Sequence, residues 1–124
     1  MIASKPFLIG VVGPCGSGKS TLTEALDKLG YSTRHIAQEH SYVKDMWKRL
    51  TNPDVLIFLQ ASFAVTRERK RKMIHWREAD YEEQQRRLSH ALAHADLILD
   101  TDPLSIQDVL EQTLVFIGEF QTKK

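Results

Sequence analysis

Eight consecutive residues, Gly13-Pro14-Cys15-Gly16-Ser17-Gly18-Lys19-Ser20, fill every fixed position of the pattern G-x-x-x-x-G-K-[ST]. The pattern describes an anion cradle. Glycines let the backbone curl so that its N–H groups converge on phosphate oxygens, in conformations that a Cβ resists. A helix starting near Gly18 aims its free N–H groups and the positive end of its dipole at the same anion. Lys19 then reaches the β and γ phosphates of a nucleoside triphosphate, and the Ser20 hydroxyl is placed to ligate Mg2+. A chance match would lack the flanking elements. Here an apolar strand over residues 7–12 precedes the loop, and Leu22, Ala25, Leu26 and Leu29 recur at helical spacing after it. The signal identifies phosphate binding, not a reaction.

Other residues carry weaker chemistry. Gln38-Glu39-His40 follows a second apolar-polar stretch, at the strand end where an α/β sheet gathers its ligands. Glu39 would hold Mg2+ through water or accept a proton from a phosphate acceptor, and His40 would orient a substrate. A plain polar loop or a helix cap at Ser41 is the alternative. Arg67, Arg69, Lys70, Arg71, Lys72 and Arg77 form the densest positive stretch. Arg67 and Arg71 are the candidates for stabilising charge on a transferring phosphoryl group. A nucleic-acid edge or a solvated helix face, paired with Glu68, Glu78, Asp80, Glu82 and Glu83, are the competing readings. His90 and His94 stand four apart, as a chelating pair would, but without an apparent third ligand they read as a solvated face. Cys15 reads as a small loop-filling side chain, with a redox gate as the alternative. Trp47 and Trp76 read as core or as a lid over a pocket, with stacking as a further reading for Trp76 beside its basic neighbours.

These groups need elements to position them. Glycine at position 30 marks the C-terminus of the first helix. Residues 31–37 form a weaker second strand, and residues 41–50 are expected to be helical, closed by the turn signal Thr51-Asn52-Pro53-Asp54. A further apolar strand spans 55–60, a helix begins at Phe63 and runs to about residue 72, and a long polar helix covers 78–94. A short strand over 96–100 leads to a last helix through Ile106, Val109, Leu110, Thr113, Leu114 and Ile117, with Ser105 and Asp108 as its cap. Strand and helix alternate four times, which predicts an α/β fold: a mainly parallel sheet of about four strands covered on both faces, a three-layer sandwich.

Composition bounds the rest. The 124 residues are 42% hydrophobic and 27% charged, with a formal net charge of +1. On the usual prior of about 100–200 residues per domain, the whole span 1–124 is expected to be a single nucleotide-binding domain. The longest apolar runs fall far short of the ~20 residues of a membrane span, and no secretory signal is evident, so a cytoplasmic protein without a membrane partner is expected. One cysteine excludes an internal disulfide and a cysteine-rich zinc site. A balanced charge argues against nucleic acid as the main partner.

Residues 9–21 resemble the start of the small P-loop kinases, such as the nucleoside-monophosphate, shikimate, gluconate, adenylylsulfate and dephospho-coenzyme-A kinases. Residues 95–105 are similar to the final strand and following turn of that family. Residues 55–62 with Val65-Thr66-Arg67-Glu68-Arg69 resemble its penultimate strand and the helix leading to an arginine-bearing lid. Together these stretches cover a little under half of the chain. The resemblance implies a P-loop NTPase-like fold, with nucleotide contacts from Gly13 through Ser20 and Thr21. It also implies adenine contacts from Thr101, Asp102 and Pro103. ATP and Mg2+ are the implied cofactors, with transfer of the γ-phosphate to an unidentified acceptor. The absence of Asn-Lys-x-Asp leans the base preference toward ATP. The sequence departs from the family in lacking a strand that ends in a Walker-B aspartate, and in having only a short segment over 41–53 where an acceptor would bind. A nucleotide-binding switch or slow ATPase without an acceptor site is therefore the alternative.

Overall fold

The computed structural model describes residues 6–73 and 75–122. Four strands, β1 (Leu8–Val12), β2 (Ser32–His35), β3 (Val55–Gln60) and β4 (Leu97–Asp100), form one sheet in the order β2-β1-β3-β4. Every pairing is parallel, with Val11 beside His35, Val12 beside Phe58 and Gln60 beside Asp100. Parallel strands must be buried on both faces, and the apolar run of β3 satisfies this: Val55, Leu56, Ile57, Phe58 and Leu59 are all buried.

The strand period of two sorts these side chains into two cores. Ile9, Val11, Ile57 and Leu59 face α1 (Lys19–Lys28) and α4 (Ile106–Thr122), where Leu22, Leu26, Val109 and Ile117 meet them. Val12, Leu56 and Phe58 face α3 (Glu78–His94) through Leu88 and Ala91, with Ile36 and Trp47 completing that side. The expected α/β sandwich of three layers is what forms, with α2 (Phe63–Arg69) beyond the end of β3.

Locally encoded ends hold. Gly30, at φ 94°, donates to Asp27 O, and Tyr31 N–H donates to Leu26 O, closing α1 in a Schellman motif. At α4, Asp108 N–H donates to Ser105 Oγ while Ser105 N–H donates to Asp108 Oδ2, each at 3.0 Å, a reciprocal capping box. These bonds hold the Asp108 carboxyl below its ordinary range.

The expected helix over 41–50 does not form. A 3₁₀ turn spans Gln38–His40, residues 41–46 are irregular, and a single wide π turn covers Trp47–Thr51, ended by Asn52 in the left-handed region. The cause is the buried Gln38 amide. Its Oε1 accepts Trp47 N–H at 2.8 Å, and its Nε2 donates to Val43 O at 2.9 Å and Arg87 O at 3.3 Å. A side chain thus satisfies backbone groups that a helix would have paired internally. The helix after Phe63 is also shorter than expected, stopping at Arg69.

The close approach of β1 to its neighbours gives a test. A methyl on Gly10 would lie 2.8 Å from Ile36 Cδ1 and 2.8 Å from Pro53 Cγ. Gly10→Ala should therefore cost about 1–3 kcal/mol, read as a lower urea midpoint with an unchanged m value.

Candidate functional site

The site lies where β1 ends. Gly13 turns the chain out of the sheet at a point where a Cβ would collide with Leu59 O, so only glycine fits. Ser17 N–H donates to Pro14 O at 3.1 Å, closing the turn, and Gly18 at φ 100° passes the chain into α1. Lys19, the first residue of α1, folds back under the loop. Its Nζ donates to Gly13 O at 2.7 Å and Pro14 O at 3.0 Å, and pairs with Glu39 Oε2 at 2.9 Å. Both side chains are buried, at 5% and 4% exposure, so all three ammonium donors are satisfied away from water.

Glu39 reaches Lys19 because the turn after β2 is tied to α3. Arg87 donates to the Glu39 carbonyl at 3.3 Å, beside the Gln38 bond to Arg87 O. The second carboxylate oxygen, Glu39 Oε1, is buried with no hydrogen-bond partner among the described residues.

The loop is also held from α3. Gln84 Oε1 accepts Cys15 N–H at 2.9 Å, and Gln84 Nε2 donates to Cys15 Sγ at 3.2 Å. Ser20 is exposed, and its hydroxyl lies 3.3 Å from His35 Nδ1. Partial burial, and then the nearby Lys19 charge, hold the His35 imidazole below its ordinary value. The strands flanking β1 end in His35 and Gln60, so neither carries a carboxylate at that position.

A cavity of about 270 Å³ opens beside the loop between α1 and the start of α4. Thr21, Ala25, Thr101, Leu104, Ile106 and Leu110 are among its lining residues. Of the three residues expected near a base, Thr101 faces this cavity. Asp102 turns the other way, accepting Ser62 N–H at 2.9 Å, and Leu104, Ser105 and Ile106 line the wall in place of Asp102 and Pro103.

The arginine that meets the loop is Arg69. It donates to Gly16 O at 2.9 Å, to Thr101 Oγ1 at 3.3 Å and to Thr101 O at 3.3 Å, joining loop, cavity and the end of β4. Arg67 lies over the Phe63 ring and Arg71 pairs with Glu68 at 3.3 Å, so among the described residues neither bonds to the loop. With cations around most of α2, sequence spacing could not tell which side faces inward. Trp76 Nε1 donates to Thr66 Oγ1 at 3.1 Å, with Lys70 over its ring. His90 accepts the buried Trp47 indole N–H at 3.1 Å and stacks on His94, which gives the pair a packing role.

Sequence reasoning did not single out Gln38, Gln84, Arg69 beyond its charge cluster, or His35 as a neighbour of Ser20. A buried amide in a polar helix leaves no distinctive pattern.

No protein-family model matches the sequence, and no curated protein matches it. Solved structures do resemble it. Deoxyadenosine kinase from M. mycoides, with the products dCMP and a flexible dCDP bound, superposes at a TM-score of 0.61 with 13% identity, covering 90% of this chain and 99% of that one. The same enzyme with bound dATP gives 0.60 at 13% identity and the same coverage. At this identity the likeness shows the fold alone, a three-layer α/β sandwich on a short parallel sheet. Among the described residues no helix is long and apolar enough to cross a membrane.

Removing one half of a buried ion pair leaves the other charge uncompensated. Glu39→Ala should lower stability by about 3–5 kcal/mol, and Lys19→Met added to it should recover much of the loss, both read by urea unfolding. His35 gives a pH signature. Above its ordinary value of 6.5 it is neutral folded and unfolded, and costs nothing. As pH falls below that value the unfolded chain takes the proton first, so stability declines until the folded-state pKa is passed. The melting temperature should drop more from about pH 7 to about pH 5 in the wild type than in His35→Asn.

Proposed function

We propose that this chain binds Mg2+·ATP and transfers the γ-phosphate to a small-molecule or nucleotide acceptor, as one P-loop domain. The observation that carries the reading is the buried Lys19 ammonium, held at the base of the glycine loop by two loop carbonyls and one carboxylate. The carbonyls are covalently part of the loop, whereas Glu39 is a separate anion that a phosphate oxygen can replace. Lys19 exchanges Glu39 for phosphate when nucleotide arrives, and keeps its other two bonds.

The remaining residues then have defined tasks. Loop amides from Gly13 to Ser20, with Thr21 next on α1, bind phosphate oxygens. The exposed Ser20 hydroxyl and the unpartnered Glu39 Oε1 are hard oxygen donors of the kind Mg2+ takes, and they would hold it. Bound there, Mg2+ supplies charge neutralisation between the transferring and leaving phosphates. Glu39, once free of Lys19, is alternatively available to take the proton of an acceptor hydroxyl. Arg69 replaces Arg67 and Arg71 as the arginine best placed to fix the loop, and the 270 Å³ cavity is the proposed base site. Because the superposed kinase holds dATP, dCMP and dCDP, nucleosides and their monophosphates are the first acceptors to test.

A second reading, a nucleotide switch or slow ATPase, draws support from the segment between Gln38 and Thr51, which is short and pinned by the Gln38 amide. Both readings expect Mg2+·ATP to raise the melting temperature, with about 2.7 kcal/mol of added stability at a hundredfold excess over Kd, and Lys19→Ala to erase most of that shift. An unchanged melting temperature at saturating nucleotide overturns both. Radiolabelled phosphate appearing on an added nucleoside or monophosphate supports the kinase, and ADP formation independent of any acceptor supports the switch.

A further inference from the structure

The least expected chemistry stands at the mouth of the loop. Cys15 Sγ lies 3.6 Å from His40 Nε2 and 3.9 Å from Glu39 Oε2, and His40 Nε2 lies 3.8 Å from the same oxygen. Sulfur, nitrogen and oxygen thus form a nearly equilateral triangle. Tetrahedral zinc, with Zn–S near 2.3 Å and Zn–N or Zn–O near 2.0–2.1 Å, sets ligand-to-ligand edges of about 3.3–3.6 Å. The observed edges exceed these by about half an ångström at most, a gap that small side-chain rotations close.

Two further observations point the same way. Glu39 Oε1 is buried without a hydrogen-bond partner among the described residues, so this carboxylate has unused ligand capacity. Gln84 Nε2 donates to Cys15 Sγ at 3.2 Å, and the Gln84 carbonyl end is fixed by the Cys15 amide, so the sulfur is oriented by an outer hydrogen bond as metal-bound thiolates are. Thiolate with imidazole selects a borderline-soft ion over Mg2+ or Ca2+.

We propose that Cys15, Glu39 and His40 form a three-ligand site for Zn2+, with the fourth tetrahedral position open to water. On binding, the Cys15 thiol gives its proton to solvent and the sulfur bonds to the metal. His40 binds through the lone pair of neutral Nε2, and Glu39 binds through a lone pair of Oε2 that its bond from Lys19 leaves free. Lys19 keeps its bonds to Gly13 O and Pro14 O. The site shares Glu39 with the Mg2+ position proposed at Ser20, so the two ions compete for that carboxylate, and Zn2+ binding does not require nucleotide.

Metal-free full-length protein, without nucleotide, is titrated with Co2+ as a spectroscopic probe and then with Zn2+. One equivalent of Co2+ should give a thiolate-to-cobalt charge-transfer band and intense tetrahedral d–d bands, both abolished by one equivalent of Zn2+. Cys15→Ser should remove the charge-transfer band. His40→Ala, at a side chain 60% exposed, should keep the native melting temperature and weaken Zn2+ binding about tenfold or more. A pale octahedral spectrum, tetrahedral bands without the thiolate transition (as the His90–His94 pair would give), or binding indifferent to His40→Ala would each overturn the proposal.

Discussion

An ammonium group buried to 5% exposure is the constraint around which the loop end of this molecule is arranged. Withdrawing such a charge from water costs several kcal/mol unless its protons all find acceptors. Lys19 finds three: Gly13 O, Pro14 O and Glu39 Oε2. Each acceptor imposes a requirement elsewhere. The carbonyls of Gly13 and Pro14 turn inward only because residue 13 lacks a Cβ against Leu59 O. Glu39 arrives only because the chain leaving β2 makes a tight 3₁₀ turn at once, before any longer helix can begin.

That turn is in turn a product of α3. The Gln38 amide donates to Arg87 O and the Arg87 guanidinium to Glu39 O across it, and Gln84, one helical turn earlier, takes the loop amide of Cys15. The same helix seals one face of the sheet with Leu88 and Ala91. One stripe of α3 therefore packs core while the adjoining positions hold the glycine loop and the Glu39 turn. Packing and electrostatics share an element, so neither can shift without the other.

The opposite side of the loop is closed by strand ends. Thr101, just past β4, donates its N–H and its hydroxyl to Gln60 O at the end of β3, and Arg69 spans from Thr101 to Gly16. Parallel strands deliver all of these groups to one edge, which is where an open α/β sheet forms its ligand crevice. The cavity between α1 and α4 is the space this convergence leaves.

What could be read from the sequence alone is what short-range interactions encode. The glycine loop, the buried runs of β1 and β3, the Gly30 terminus and the Ser105–Asp108 box each depend on residues within a few positions of one another, and each formed as expected. The helix over 41–50 did not form, because its competitor, the Gln38 amide, acts across five to forty-nine residues. Arg69, not Arg67 or Arg71, meets the loop because the inward side of α2 is set by what it packs against, and all three look alike in a cationic string. The partner of Glu39, the Gln84 grip on Cys15 and the Cys15–Glu39–His40 triangle join positions 20, 69, 24 and 25 apart, by the separations of Lys19 from Glu39 and of Cys15 from Gln84, Glu39 and His40. Local propensity carries no information over such distances. Only closing the sheet and docking α3 against it brings those side chains within reach.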